Sequence, residues 1–286
     1  MSWIKWPIAA LALLLIAAMA LSWYGSARWA GLTADLLQRL ETARLPSEPA
    51  RYDERELDGL PEPVQRYFRA VLTHGAPIVA AARVAHRGTF NLGEAHDRWK
   101  PFASEQRVVT RRPGFVWNGT IAMLPGLPVR VHDAYIAGDG ILHPAILGLF
   151  SLADLRGGGE LARGELMRFL AEAAWYPTAL LPSQGVRWEA LDAHSARATR
   201  VDGPVSVTLT FRFDAECLIR SVRAESRGRT VAGKMVATPW EGRWSNYQWQ
   251  DGMRVPMSGE VAWLLPSGDK PYWRGTIETL SYEFDR

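Results

Sequence analysis

The sequence predicts a mainly β (α+β) protein: a curved antiparallel sheet, or half-barrel, with an N-terminal helix and a central helix packed on it. One transmembrane helix is expected to precede it. Three observations lead there. From Ala82 to the end of the 286-residue chain, apolar and polar residues alternate with period two between tight turns. A single strong amphipathic helix, Arg163–Pro182, interrupts that run. Ahead of everything stands the apolar stretch Met1–Tyr24.

Ile8–Leu21 contains only Ala, Leu, Ile and Met. Trp3 and Trp6 precede it, and Trp23, Tyr24 and Trp29 follow, as in a membrane span with aromatic belts. A cleaved signal peptide is the rival, because Lys5, a short apolar core and Ala18-Met19-Ala20 make a small-x-small site. Trp23 and Tyr24 directly after that site favour an anchor over residues 1–29, with membrane contact through Pro7–Tyr24. No cysteine follows the run, which excludes a lipoprotein. Lys5 and the α-amino group hold the N-terminus inside, whereas Arg28 and Arg39 pull the other way. The expected placement is single-pass in the inner (cytoplasmic) membrane, with the main domain on the exported side.

Residues 30–60 read as a juxtamembrane helix and linker. Thr33 is placed to cap a helix carrying Leu36, Leu37 and Leu40, and Pro46 and Pro49 break it. Residues 61–286 read as one β-rich domain. It opens with a helix at Pro61 and Pro63, whose stripe is Val64, Tyr67, Phe68, Val71 and Leu72, and Gly75 stops it. Strands follow, with turns at Arg112-Pro113-Gly114 and Ala137-Gly138-Asp139-Gly140. Ile141–Leu155 is nearly all apolar and is expected to be buried or to line something apolar. Val205, Val207, Leu209, Phe211 and Phe213 make the cleanest one-face-buried strand, and Asp251-Gly252 the strongest hairpin turn.

In the central helix Leu166, Phe169, Leu170 and Ala173 form one apolar stripe. Glu165, Arg168 and Glu172 fall on the other side at ion-pair spacing, and Pro177 ends the helix near Trp175. Arg168 lies between the two carboxylates and would keep both ionised, which suits an ion-pair network better than a general acid.

Chemical motifs are sparse. The net charge of +3 is too weak for a nucleic-acid partner, and one cysteine, Cys217, allows no disulfide framework. The six histidines show no metal-binding spacing, and no cofactor fingerprint or catalytic motif is present. Gly157-Gly158-Gly159 lacks the Lys-Ser/Thr of a phosphate loop. His132, Asp133 and Asp139 flank one turn and His143 returns on the next strand, which is the one place where acid–base or metal chemistry could assemble. The sequence has 13 tryptophans, suited to an apolar rim or core; Trp240 and Trp244 share a face, and Trp249 points away.

The hairpin SNYQWQDGMRVPMSGEVAW, with Tyr247-x3-Asp251-Gly252-x2-Val255-Pro256, resembles the late hairpin of bacterial lipoprotein-carrier-type proteins, as does FRFDAECLIRSVRAESRGR before it. That resemblance implies an incomplete barrel with an apolar concavity. A longer one runs through PFASEQRVVTRRPGFVWNG, VRVHDAYIAGDGIL, RGELMRFLAEAAWYPTALLP and the last hairpins. These look like an uncharacterised bacterial family of unknown function, carried behind one N-terminal hydrophobic segment. That resemblance implies an architecture and no activity.

The expected function is a membrane-anchored, non-catalytic protein that holds a lipid or other long apolar ligand in a β-cup, without cofactor or metal. Its site is expected between helix and apolar run, with Leu166, Phe169, Leu170 and Trp175 facing Leu147, Phe150 and Phe211. The alternatives are an envelope scaffold docking an unknown protein partner, or a hydrolase using His132, Asp133 and Glu172.

Overall fold

The computed structural model describes residues 5–94, 96–231 and 233–285; Trp3, the Lys5 side chain and Arg286 lie outside them. The first helix, α1, runs unbroken from Lys5 to Ala43. Its 39 residues span about 58 Å at ~1.5 Å per residue, roughly twice a bilayer core. Its first half is bare, with Trp6, Leu14, Trp23 and Tyr24 exposed, and is long and apolar enough to cross a membrane. The second half packs on the sheet, burying Trp29, Leu36 and Leu40. No new helix starts at Thr33, contrary to the expected cap. The leucines that suggested a separate helix continue the first one, and the Thr33 hydroxyl donates back to the Trp29 carbonyl at 2.9 Å.

After helix α2 (Glu62–Val71), whose Val64, Tyr67, Phe68 and Val71 are buried, the chain lays down five strands. These are β1 (Val79–Asn91), β2 (Trp99–Val109), β3 (Gly114–Leu124), β4 (Leu127–Ile136) and β5 (Asp139–Ile146). Two scraps follow, β6 (Phe150–Ser151) and β7 (Leu155–Gly157), then helix α3 (Gly159–Glu172). The apolar run Ile141–Leu155 is therefore only half buried. Ile141 and Ala145 are covered, while Phe150, Leu152 and Leu155 stand in solvent because the strand ends at Ile146.

The second half is β8 (Val186–Asp192), β9 (Ser195–Asp202), β10 (Val205–Phe213), β11 (Ile219–Val231), β12 (Lys234–Gln250), β13 (Met253–Leu265) and β14 (Gly268–Phe284). All strands belong to one antiparallel sheet in the order β6-β5-β4-β3-β2-β1-β14-β13-β12-β11-β10-β9-β8, with β7 paired to β5 beside that path. Two meanders are thus sewn together where the first strand pairs with the last, Val84 opposite Leu280. The sheet curls into an open half-barrel, and the Tyr135 hydroxyl of β4 donates to Asp202 of β9 at 2.8 Å across the gap.

Helix α3 lies in the concavity against β4, β5, β10 and β11. Beyond its exposed first turn, with Glu160 and Arg163 in solvent, it is buried nearly all round. Leu166, Phe169 and Leu170 pack into the core, and Glu165 and Glu172 are buried as well. Helix α1 covers the opposite, convex face of β2–β4, so this wing of the sheet is sandwiched between two helices.

Candidate functional site

The charged stripe of α3 points into the half-barrel and not to water. Arg168 Nε donates to Glu172 at 2.7 Å, its Nη1 to Asp133 of β4 at 2.5 Å, and its Nη2 to Gln106 of β2 at 3.2 Å. Gln106 in turn donates to the other Glu172 oxygen at 2.7 Å. The guanidinium also sits 4.8 Å from the Phe115 ring centre. Burial alone would pull Arg168 toward neutrality, but Glu172, Asp133 and Glu165 reverse this and raise its pKa above the ordinary value. Contrary to the expectation that Arg168 would keep it ionised, Glu165 is pushed well above the ordinary carboxyl range, by burial and then by the Asp133 charge.

Beside this network lies an apolar cavity of about 320 Å³. Phe90, Trp117, Ile121, Val131 and Leu142 wall it from the first meander, Trp240, Val261 and Tyr272 from the second. Arg168, Glu172 and Trp175 close it from α3 and the turn that follows. Its volume is at the lower end of the ~300–1,000 Å³ usual for small-molecule sites. A wider cleft of about 1,040 Å³ on the outer face is lined by Arg212, Arg220, Glu241, Arg243 and Asp269, and is ion-paired and open.

One cation on the cavity wall is incompletely paired. Arg227 of β11 makes no hydrogen bond among the described residues; it stacks 4.9 Å from the Trp240 ring centre. Among the described residues its one carboxyl neighbour within 4 Å is Glu165, at 3.8 Å, whose pKa burial raises. The indole N–H groups of Trp175 and Trp244, both on this wall, are also buried without partners. Arg227 reaches the inside through a β-bulge. Ala224 opposes Trp240 and Arg227 opposes Thr238, so one extra residue in β11 reverses the alternation. A strict period-two reading cannot see that shift.

Among the residues expected at the site, Trp175 lines the cavity, 5.0 Å from Trp244. Leu166, Phe169, Leu170 and Phe211 are fully packed, with Phe211 against Trp188 and Phe169 against Tyr176. Leu147 lies in the turn after β5 with φ +56°, and Phe150 is 57% exposed on the edge strand. From β5 it is Leu142 and Pro144 that face the cavity.

The hydrolase residues divide between the two faces of β4. Asp133 points inward to Arg168, whereas His132 points outward to α1. His132 stacks on Trp29 at 3.9 Å, and its Nε2 donates to the Thr33 hydroxyl at 2.7 Å, since that hydroxyl already donates to Trp29. His143 is the cross-strand partner of His132, 6.3 Å away ring to ring, and bonds Ser151 at 2.8 Å. Among the described residues no three His, Cys, Asp or Glu side chains converge as metal ligands. His132 is held neutral to about pH 4, by burial first and then by His143 and Arg156.

This makes the α1–sheet contact acid-sensitive. Above pH 6.5 His132 is neutral in folded and unfolded chains alike. Below it the unfolded chain takes up a proton that the folded chain refuses, so stability falls until about pH 4. A shift of this size corresponds to ~3 kcal/mol. Between pH 7 and 4 the stability that the wild type loses in urea unfolding should exceed the loss of His132→Gln by that amount, and parallel curves would contradict it.

Residues 58–282 match the family described as "Family of unknown function (DUF6920)". No curated protein matches the sequence. Among solved structures, a LolA superfamily protein from Nitrosomonas europaea aligns over 89% of this chain and 94% of its own, at 11% identity and TM-score 0.36. A DUF1329 family protein from Desulfovibrio piger covers 72% and 86%, at 10% identity and TM-score 0.38. A β-barrel-like DUF1849 protein from Brucella abortus covers 72% and 99%, at 10% and 0.20. Likenesses this low carry no functional conclusion.

Proposed function

The chain belongs to the DUF6920 family, whose function is unknown, and we propose from its own cavity that it is a membrane-anchored, non-catalytic binder of an amphipathic lipid. The observation that carries this is an apolar chamber with one underpaired guanidinium, Arg227, on its wall. An acyl chain lies among Phe90, Ile121, Val131, Leu142 and Val261, and an acidic or acceptor head meets Arg227. Burial stabilises the chain by ~0.8 kcal/mol per methylene, so about ten give ~8 kcal/mol before the cost of association. The head contributes orientation, because a buried cation without a full partner favours an anion strongly.

The first half of α1 is the anchor, in the inner membrane, with the sheet on the exported side. Intact-mass analysis of membrane-fraction protein should find Met1–Ala20 retained, and an export-dependent reporter fused after the last residue should be active. Native mass spectrometry of the full chain, purified from its own membrane, should show a bound lipid with an acidic head. Arg227→Met keeps the stacked alkyl stem and should lower occupancy by decanoic acid at least ~10-fold, as for loss of a charge-assisted bond. No copurifying lipid, together with equal decanoate binding by both proteins, would overturn the proposal.

A further inference from the structure

The path of α1 fixes which end of the half-barrel faces the membrane. Leu40 packs beside Gly114, at the start of β3. Trp29 bonds Asn118 in the middle of β3, at 2.9 Å. Gly25 meets the loop after β5, where an added Cβ would strike the Leu147 carbonyl and lie 2.9 Å from Leu149 Cγ. Arg28 donates to Gly148 at 3.0 Å and Arg130 to Ser26 at 2.9 Å, so this crossing is pinned on both sides. From Gly25 to Leu40 the helix advances about 22 Å along the strands at ~1.5 Å per residue. Immediately before Gly25 come Trp23 and Tyr24, exposed aromatics of the kind that sit at a membrane boundary.

The strand ends near Gly25 therefore lie at the level of the lipid headgroups. They are the turn between β3 and β4 and the loop from Leu147 to Leu152. Both present large apolar side chains to solvent: Leu124 is 63% exposed, Phe150 57% and Leu152 59%. Phe150 pairs with Ile146 at the very end of β5, so it stays at that level. The cavity lies towards the same end, because Phe90 and Leu92 at the end of β1 and Ile121 near the end of β3 line it. Their location explains why so apolar a run as Ile141–Leu155 is left uncovered by protein.

We propose that Leu124, Phe150 and Leu152 form a second membrane contact, inserted into the bilayer surface beside the α1 anchor. It places the mouth of the half-barrel against the lipid. This inference rests on the anchored reading and names the occupant of the apolar rim as the bilayer itself. Ligand then passes between bilayer and cavity at that rim without crossing bulk water.

The test is site-directed spin labelling of the full chain in phosphatidylethanolamine–phosphatidylglycerol vesicles. Cys217→Ser provides the background, with single cysteines introduced as Phe150→Cys, Leu152→Cys, Tyr24→Cys and Leu191→Cys. Leu191, exposed on β8 at the far edge of the sheet, is the aqueous reference. Labels at 150 and 152 should collide more often with oxygen and less with a water-soluble nickel chelate than the label at 191, as the label at 24 does. Lipid-like collisions at 24 with water-like ones at both 150 and 152 would overturn the second contact and leave the anchor standing. Water-like collisions at 24 would overturn the anchor, and the inference with it. The two loop positions are read independently, so one misfolded variant leaves the test intact.

Discussion

Replacing Arg168 by Leu should destabilise the protein by ~3–5 kcal/mol, the range for breaking a buried ion pair from one side. Arg168 is the shared partner of Glu172, Asp133 and Gln106, which come from α3 and from two strands of the first meander. Without it two buried carboxylates face each other with Gln106 as the remaining donor to Glu172. The charge makes the cost, not the lost volume, since Leu fills part of the same space. Adding Asp133→Asn and Glu172→Gln should therefore recover much of the loss, which a mere packing defect would not allow. Urea unfolding of the single and triple variants at pH 7 decides it. A single variant within ~1 kcal/mol of wild type would show that the network is dispensable.

Phe169→Ala is expected to cost a similar ~3–5 kcal/mol for a different reason. Phe169 is 1% exposed, on the side of α3 turned to the core, 5.6 Å from the ring of Tyr176, whose hydroxyl donates back to the Phe169 carbonyl at 3.0 Å. Leu166, Leu170 and Leu180 of the same core are already fully buried, so the hole closes only in part. The midpoint should fall at unchanged denaturant dependence, and decanoate should raise wild type and variant by the same amount and leave the gap between them, since Phe169 does not line the cavity. A gap that changes when decanoate is added would place Phe169 in the binding site after all.

These two side chains also show what the sequence conveys and what it hides. The stripe Leu166, Phe169, Leu170 announces a helix that packs on a sheet, and it does. The charged residues between them read as an ion-pair network on the helix's other side, and nothing local tells that a half-barrel will close over it. Tight turns and alternation define each hairpin, yet the pairing of β1 with β14 joins residues almost a whole chain apart, with no local signal. Arg227 escapes notice for a related reason: one extra residue in β11 reverses the parity on which strand faces are judged. Thr33 resembles a cap in sequence, but Trp29 and His132 hold it inside a helix that never stops.

That unbroken helix has a mechanical consequence. With no flexible stretch between Trp23 and Leu40, and with the sheet clamped along the same rod, the upper body has no joint about which to lean or reach. With the first half of α1 embedded, as proposed, the molecule would behave like a mast stepped into a deck: it could spin about its axis and drift sideways, but the sheet would keep one orientation relative to its anchor. On that reading, anything that traded cargo with it would have to travel in the plane of the membrane or come down to meet it. Inserting a few glycines between Tyr24 and Gly25 would supply the missing joint and turn a stationary post into a swinging arm.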